Sequence, residues 1–228
     1  SPEPDGDPTA MRCILLNPGP VSLSDAVRRA AFNTDLGHHE PEFLELLSRV
    51  RAALIAAYEL DGDEWVAVTM GGSGQTALEA SMASLLPRDG RLLAVANGSN
   101  GEQIGRIAGI HGMDRTDLAH DWMDAVDYRR VEEALAEGGY THVAAVHHET
   151  TTGRLNDAAR LADLCERYGV QLLLDFFIGD GRCLDLDGAA VDVPAAAAVT
   201  HLAAIGRARE HAVLGAHPAP AGVHEEGR

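Results

Sequence analysis

The sequence predicts an α/β fold in three layers, α/β/α, around a mostly parallel sheet. Two observations carry this. Short, nearly uninterrupted apolar runs recur, "RLLAVAN", "THVAAV" and "VQLLLD", which is how strands buried on both faces read. Between them lie amphipathic stretches such as "YRRVEEALAE" and "DAARLADLCERYG", and strand–helix alternation of this kind gives crossovers that cover a parallel sheet on both sides.

Taken in order, residues 1–11 are rich in Pro and Asp and read as a disordered leader. "RCILL" (12–16) reads as a strand ending at the turn "NPGP". Ser24 is placed to cap a helix over "DAVRRAAF". Pro41 opens a long helix to about residue 60, with Leu44, Leu47, Val50 and Leu54 on one face. Residues 64–70 read as a strand that runs through "GGSG" into a helix ending near 86. The strand at 91–97 is followed by "GSNGEQIGRIAGIHG", a helix weakened by its glycines. Asp127 caps the next helix, 142–146 is a strand, 157–169 is a helix stopped by Gly169, and 170–175 is a strand. The alternation fades after 192. Residues 12–206 are therefore assigned to one large domain and 207–228 to a diverged tail, and no internal repeat is visible.

The 228 residues carry a net charge of −17, which argues against nucleic acid and anionic membranes as partners, since both present negative phosphates. No apolar run reaches the length of a membrane span and nothing resembles a signal peptide. Cys13, Cys165 and Cys183 lie in or beside apolar runs without metal-type spacing, which reads as free thiols in a cytoplasmic protein. All 18 basic residues are arginine, and no lysine occurs anywhere.

Three motifs fall at the carboxyl ends of predicted strands, the edge where open α/β sheets bind ligands. "GGSGQT" (71–76) offers close backbone approach and exposed amides at a helix start, suited to an anion, and reads equally as a tight structural turn. Asp175, closing "QLLLD", is able to hold a ring nitrogen protonated, or to serve as a turn or cap residue. "HHETTTG" (147–153) places polar side chains where burial without partners is costly. Adjacent His147 and His148 face opposite sides of an extended chain, so no metal site is assigned. A serine hydrolase is also unsupported, because no G-x-S-x-G elbow follows a strand.

Together, "LLNPGPVSLSDAV", "GHHEPEFLELLSRVRAAL", "MGGSGQTALEASMASLL", "VANGSNGEQ", "AVHHETTTGRLND" and "YGVQLLLD" resemble the class V aminotransferases of the fold-type I pyridoxal-phosphate group. The 2-aminoethylphosphonate–pyruvate aminotransferases are the most similar, with the alanine–glyoxylate aminotransferases next. The resemblance is collinear over about residues 12 to 192, and it implies the large domain of a pyridoxal-phosphate-dependent transferase fold. It also implies roles. Ser73, Gly74 and Gln75 would cradle the cofactor phosphate, and Asp175 would pair with the pyridine nitrogen. Thr150 and Thr151 would reach the phenolic oxygen of the ring, with Glu149 as a supporting acid or base. Asn100 stands where the family places a stacking aromatic ring, in "NGSNG" against a pattern like "NGAYG".

Other departures follow. After Asp175 the chain reads "FFIGDGRC" rather than small residues, and the family's smaller C-terminal domain has no counterpart in these residues. The Schiff-base lysine belongs near 200 to 202, where this chain has Thr200, His201 and Leu202. His201 is the only residue there suited to act as a base in its place, since imidazole titrates near neutrality. The expectation is therefore an aminotransferase-family enzyme that binds pyridoxal or pyridoxamine phosphate non-covalently. It would act on an amino or keto acid or an aminophosphonate, as a homodimer or with a complementing chain. The alternatives are a cofactor-free enzyme or ligand-binding protein on the same fold, and a non-catalytic subunit of a split assembly.

Overall fold

The computed structural model describes residues 65–176 without a break. Before them it describes 22–30, 35–57 and the positions 15, 16, 32, 60, 62 and 63; after them, the strands at 182–184, 190–192, 202–205 and 212–216.

Two helices come first, α1 (Asp25–Ala30) and α2 (Pro41–Ala57). Ser24 caps α1 as expected, its hydroxyl accepting from the amide of Val27 at 3.3 Å. β1 (Trp65–Thr69) leads into α3 (Gly74–Leu85), and β2 (Arg91–Ala96) into α4 (Ser99–Ile110). β3 (Asp114–Ala119), α5 (Tyr128–Glu137), β4 (His142–Val146) and the hairpin β5 (His148–Glu149) and β6 (Arg154–Leu155) follow. α6 (Ala158–Tyr168) and β7 (Gln171–Phe176) complete the continuous part, before β8 (Arg182–Leu184), β9 (Ala190–Asp192), β10 (Leu202–Ile205) and β11 (Ala212–Ala216).

The central sheet runs β10-β7-β4-β2-β3. Its four continuous-chain strands pair in parallel, and β10 joins β7 antiparallel with Leu202 opposite Phe176. β1 pairs in parallel with β11, so the 207–228 segment contributes a strand, and β10 and β11 pack beside each other. The expected three-layer α/β architecture is present. Residues alternate in side along each strand: Leu93, Val95, Val143, Ala145, Leu172 and Leu174 join one core with α5 and α6. Leu92, Ala94, Ala144, Val146 and Leu173 join the other with α3 and α4. Leucines as fully enclosed as Leu92 and Leu173 each contribute about 1.5–3 kcal/mol of transfer free energy.

Two readings need correction, and the helix expected at α4 is present. Leu15 and Leu16 lie outside any strand and Leu16 is 94% exposed, while 12–14 fall outside the described residues. β3 was not anticipated because "DRTDLA" has no apolar run. It is the edge strand, bonded to β2 alone, so its polar side chains stay in or near solvent. The glycines of α4 do not break it over twelve residues. A Cβ on Gly101 would stand 2.7 Å from Ala96 Cα, so glycine is what lets the helix lie down on β2.

The helix ends behave as read. Asp127 accepts from the amides of Arg129 and Arg130, Asp157 accepts from Arg160 N, and Gly169 closes α6 at φ 66°, the left-handed region that suits glycine.

Candidate functional site

Three strand ends meet at one edge. β2 leaves the sheet at Asn97, β4 at His147, and β7 carries Asp175 directly opposite Val146. The chain beyond β2 and β4 is held by a buried amide pair. Asn97 Nδ2 donates to Asn156 Oδ1 at 2.8 Å and Asn156 Nδ2 returns the bond to Asn97 Oδ1 at 3.1 Å. Asn156 Nδ2 also reaches Val146 O at 2.9 Å, and its backbone amide donates to His147 O at 2.7 Å. Both asparagines stood in quoted motifs without an assigned part. The available signal was a polar residue immediately after a buried strand, which must find partners.

The turn between β5 and β6 lies across this edge. Thr152 N donates to Glu149 O at 3.2 Å, and Gly153 takes φ 70° to bring the chain back. Asn100, in the first turn of α4, donates from Nδ2 to Thr150 Oγ1 at 3.1 Å. Ser99 N donates to Thr151 Oγ1 at 3.2 Å, and Thr151 Oγ1 donates to Glu149 Oε1 at 2.5 Å. Glu149 Oε2 accepts from Gly101 N at 3.0 Å. Asn100 with Thr150, and Glu149 with Thr151, thus form two adjoining sets of bonds between the start of α4 and the β5–β6 turn.

The two threonines differ. Thr151 spends its hydroxyl proton on Glu149, whereas Thr150 receives a bond from Asn100 and keeps its own proton to donate. Thr150 is therefore the better placed of the two to meet a ligand oxygen. Glu149 is fully buried, and both of its oxygens already accept hydrogen bonds from the protein. A carboxylate with both oxygens engaged in this way is held in one orientation.

Asp175 is buried, and among the described residues no hydrogen bond reaches its carboxylate. Burial, with the nearby Glu149 charge adding to it, pushes its pKa up to about 7. His147 is buried too, its ring edge-on to Phe176 with centroids 4.9 Å apart and its backbone amide on Asp175 O at 2.9 Å. His148 is half-buried and pairs through the backbone with Leu155. No cluster among the described residues is suited to a metal ion.

Ser73, Gly74 and Gln75 occupy a separate place, the start of α3. Ser73 is the N-cap, accepting from Thr76 N at 3.3 Å and lying 3.2 Å from Thr76 Oγ1. Nothing among the described residues accepts from the amides of Gly74 and Gln75, as is usual for the first amides of a helix. A Cβ at Gly72 would stand 3.0 Å from Thr76 Cβ, so glycine keeps this turn tight. α3 packs against α4 and β10, but no hydrogen bond among the described residues ties its start to the threonine network. His201 lies outside the described residues.

No family model matches the chain. It is 39% identical to 2-aminoethylphosphonate–pyruvate transaminase 1 of Burkholderia lata over 181 residues, 78% of this chain and 48% of that protein. Among solved structures, its fold is similar to that of pyridoxamine–pyruvate aminotransferase from Mesorhizobium loti, with TM-score 0.68 and 23% identity over 86% of this chain and 51% of that one. It is likewise similar in fold to alanine–glyoxylate aminotransferase from Nostoc sp., with TM-score 0.66 and 23% identity over 81% and 54% of the two chains. The chain spans about half the length of the curated relatives it matches.

Proposed function

We propose that this chain, a relative of the class V aminotransferases, binds pyridoxal or pyridoxamine phosphate without a covalent link. Its proposed activity is amino-group chemistry on an amino or keto acid or an aminophosphonate. One observation carries the cofactor reading: Asp175 is a buried carboxylate at the ligand edge of the sheet with no hydrogen-bond donor of its own among the described residues. A protonated ring nitrogen supplies both the donor and the positive charge that make its ionisation favourable.

When bound, the cofactor supplies an electron sink for the carbon next to a substrate amine. The other parts belong to the protein. The open amides of Gly74 and Gln75, with the Ser73 hydroxyl, hold the phosphate at the positive end of α3. Thr150 donates its hydroxyl proton to the ring oxygen while Asn100 fixes its orientation. Asp175 holds a proton on the ring nitrogen. With no lysine among these 228 residues, the contacts this chain offers the group are non-covalent, and His201 is the residue proposed to move protons.

The partner proposed is a second copy of the chain or a complementing chain. Leu16, Phe32 and Leu44 are exposed apolar side chains in the N-terminal third that such a partner would cover. Among the described residues no helix is long and apolar enough to cross a membrane, and a cytoplasmic location is proposed.

The test is titration with pyridoxal phosphate and, separately, pyridoxamine phosphate, followed by calorimetry and absorbance. Binding in roughly the micromolar range, with the spectrum of the free aldehyde and at least a tenfold loss in Asp175→Ala (about 1.4 kcal/mol), is the expected result. Failure of both forms to bind overturns the reading.

A further inference from the structure

α4 starts at Gly98, which has no side chain to cap it, yet two of its first three amides, those of Ser99 and Gly101, are not open. They are met by Thr151 and Glu149, about fifty positions further along the chain. We propose that Glu149 is a positioning residue: its carboxylate caps α4 from a neighbouring element and thereby sets Asn100 against Thr150. The functional consequence rests on the cofactor reading above, whereas the cap itself does not.

Charge and shape both favour a glutamate here. A helix start carries a partial positive charge that a carboxylate complements. The three donors on Glu149 arrive on both sides of the group, Gly101 N on Oε2, and Thr151 N and Oγ1 on Oε1. A glutamine retains one acceptor oxygen and presents a donor on the other side, so it serves one end of the bridge only.

Gly98 completes the device. A Cβ there would stand 2.3 Å from Glu149 Cγ and 2.4 Å from Cδ, so the glutamate stem lies flat on the Gly98 backbone. With φ at 174°, Gly98 is extended, a conformation open to any residue. The glycine is required for room and not for its backbone freedom. The helix gives up a cap of its own at position 98 so that a side chain from β5 can occupy that place.

Once joined, α4 and the β5–β6 turn move as one piece. The Asn100–Thr150 bond at 3.1 Å then holds the Thr150 hydroxyl in one orientation, with its proton directed away from Asn100. Cutting the bridge at Glu149 leaves every one of the proposed cofactor contacts in the sequence and removes only their alignment.

The experiment uses the full chain and the variants Glu149→Gln, Glu149→Ala, Gly98→Ala and Gly98→Ala/Glu149→Ala. Amide hydrogen exchange is read at residues 99–102 and 150–152 without cofactor, and pyridoxal phosphate affinity is read separately. Glu149→Ala is expected to speed exchange at Gly101 by at least about tenfold, the size of one charge-assisted hydrogen bond, with Glu149→Gln between it and the wild type. Affinity follows the same order. Gly98→Ala is damaging alone but adds nothing to Glu149→Ala, because the clash needs both side chains. Unchanged exchange at Gly101 in Glu149→Ala, or additive losses in the double variant, overturns the proposal. Should Glu149→Ala fail to fold, Glu149→Gln and Gly98→Ala still report on the same bridge. If the wild type binds no cofactor, the functional reading falls and exchange alone decides the cap.

Discussion

α3 and α4 both begin at a glycine-containing turn directly after a strand, and they end in opposite states. α3 is capped by its own Ser73, and the amides of Gly74 and Gln75 find no acceptor among the described residues. α4 has Gly98 at its cap, and its start is closed by Glu149 and Thr151. The same local chemistry thus leaves two amides open in one case and makes a place for the chain's own carboxylate in the other. A glycine-rich helix start is available to an external anion only where nothing else in the fold has taken the amides.

The largest effect expected from this difference concerns Asp175, which sits near the carboxylate that fills α4. Its folded pKa is raised, to about 7, so its contribution to stability is intact below the unfolded value and is lost as pH rises through the folded one. Asp175→Asn should therefore stabilise the cofactor-free protein at pH 8 by up to about 4 kcal/mol and change little at pH 4, as chemical denaturation at the two pH values would report. An equal effect at both would mean that the buried charge is not what matters.

Next in size is Gly98→Ala, which pushes a methyl into Glu149. The expected cost is about 3 kcal/mol, typical of overpacking at a site that cannot relax, read as a lower denaturation midpoint with an unchanged slope. Gly112, where a Cβ would meet nothing within 4 Å but φ is 65°, offers a contrasting control. Alanine there should cost only about 1–2 kcal/mol, from backbone strain alone.

Ser73→Ala removes the cap that α3 supplies for itself and should cost about 1 kcal/mol while weakening phosphate binding. The smallest effect sharpens the comparison most. Inorganic phosphate should slow amide exchange at Gly74 and Gln75 and leave Ser99 and Gly101 untouched. Equal protection at both starts would show that the bridge from Glu149 does not fill α4.

Much of the fold was legible because its signals are local. Buried parallel strands such as β4 and β7 carry unbroken apolar runs, Val143–Val146 and Leu172–Leu174, and Ser24, Asp127 and Asp157 announce helix starts by side chains that bond two or three residues away. β3 was not legible, because an edge strand paired on one side has no need of an apolar run. The helix read over the glycines of α4 is present, and tertiary context explains why. Propensity counts their cost in an isolated helix, whereas here Gly101 earns close contact with Ala96.

The candidate site divides in the same way. By itself the sequence determined the α/β class, most of the order of its strands and helices, and two of the three strand ends that meet, those of β4 and β7. It also held Asp175, Thr150 and the Ser73 turn in recognisable surroundings. These depend on neighbours a few residues apart, which any reader of the chain can see. Tertiary structure alone decided that Asn97 pairs with Asn156 across 59 positions and that Glu149 closes α4 across 48. It also decided which threonine keeps a proton to offer. A hydroxyl or carboxylate has a fixed number of bonds to make, and which partners use them up is settled only when distant segments are packed together.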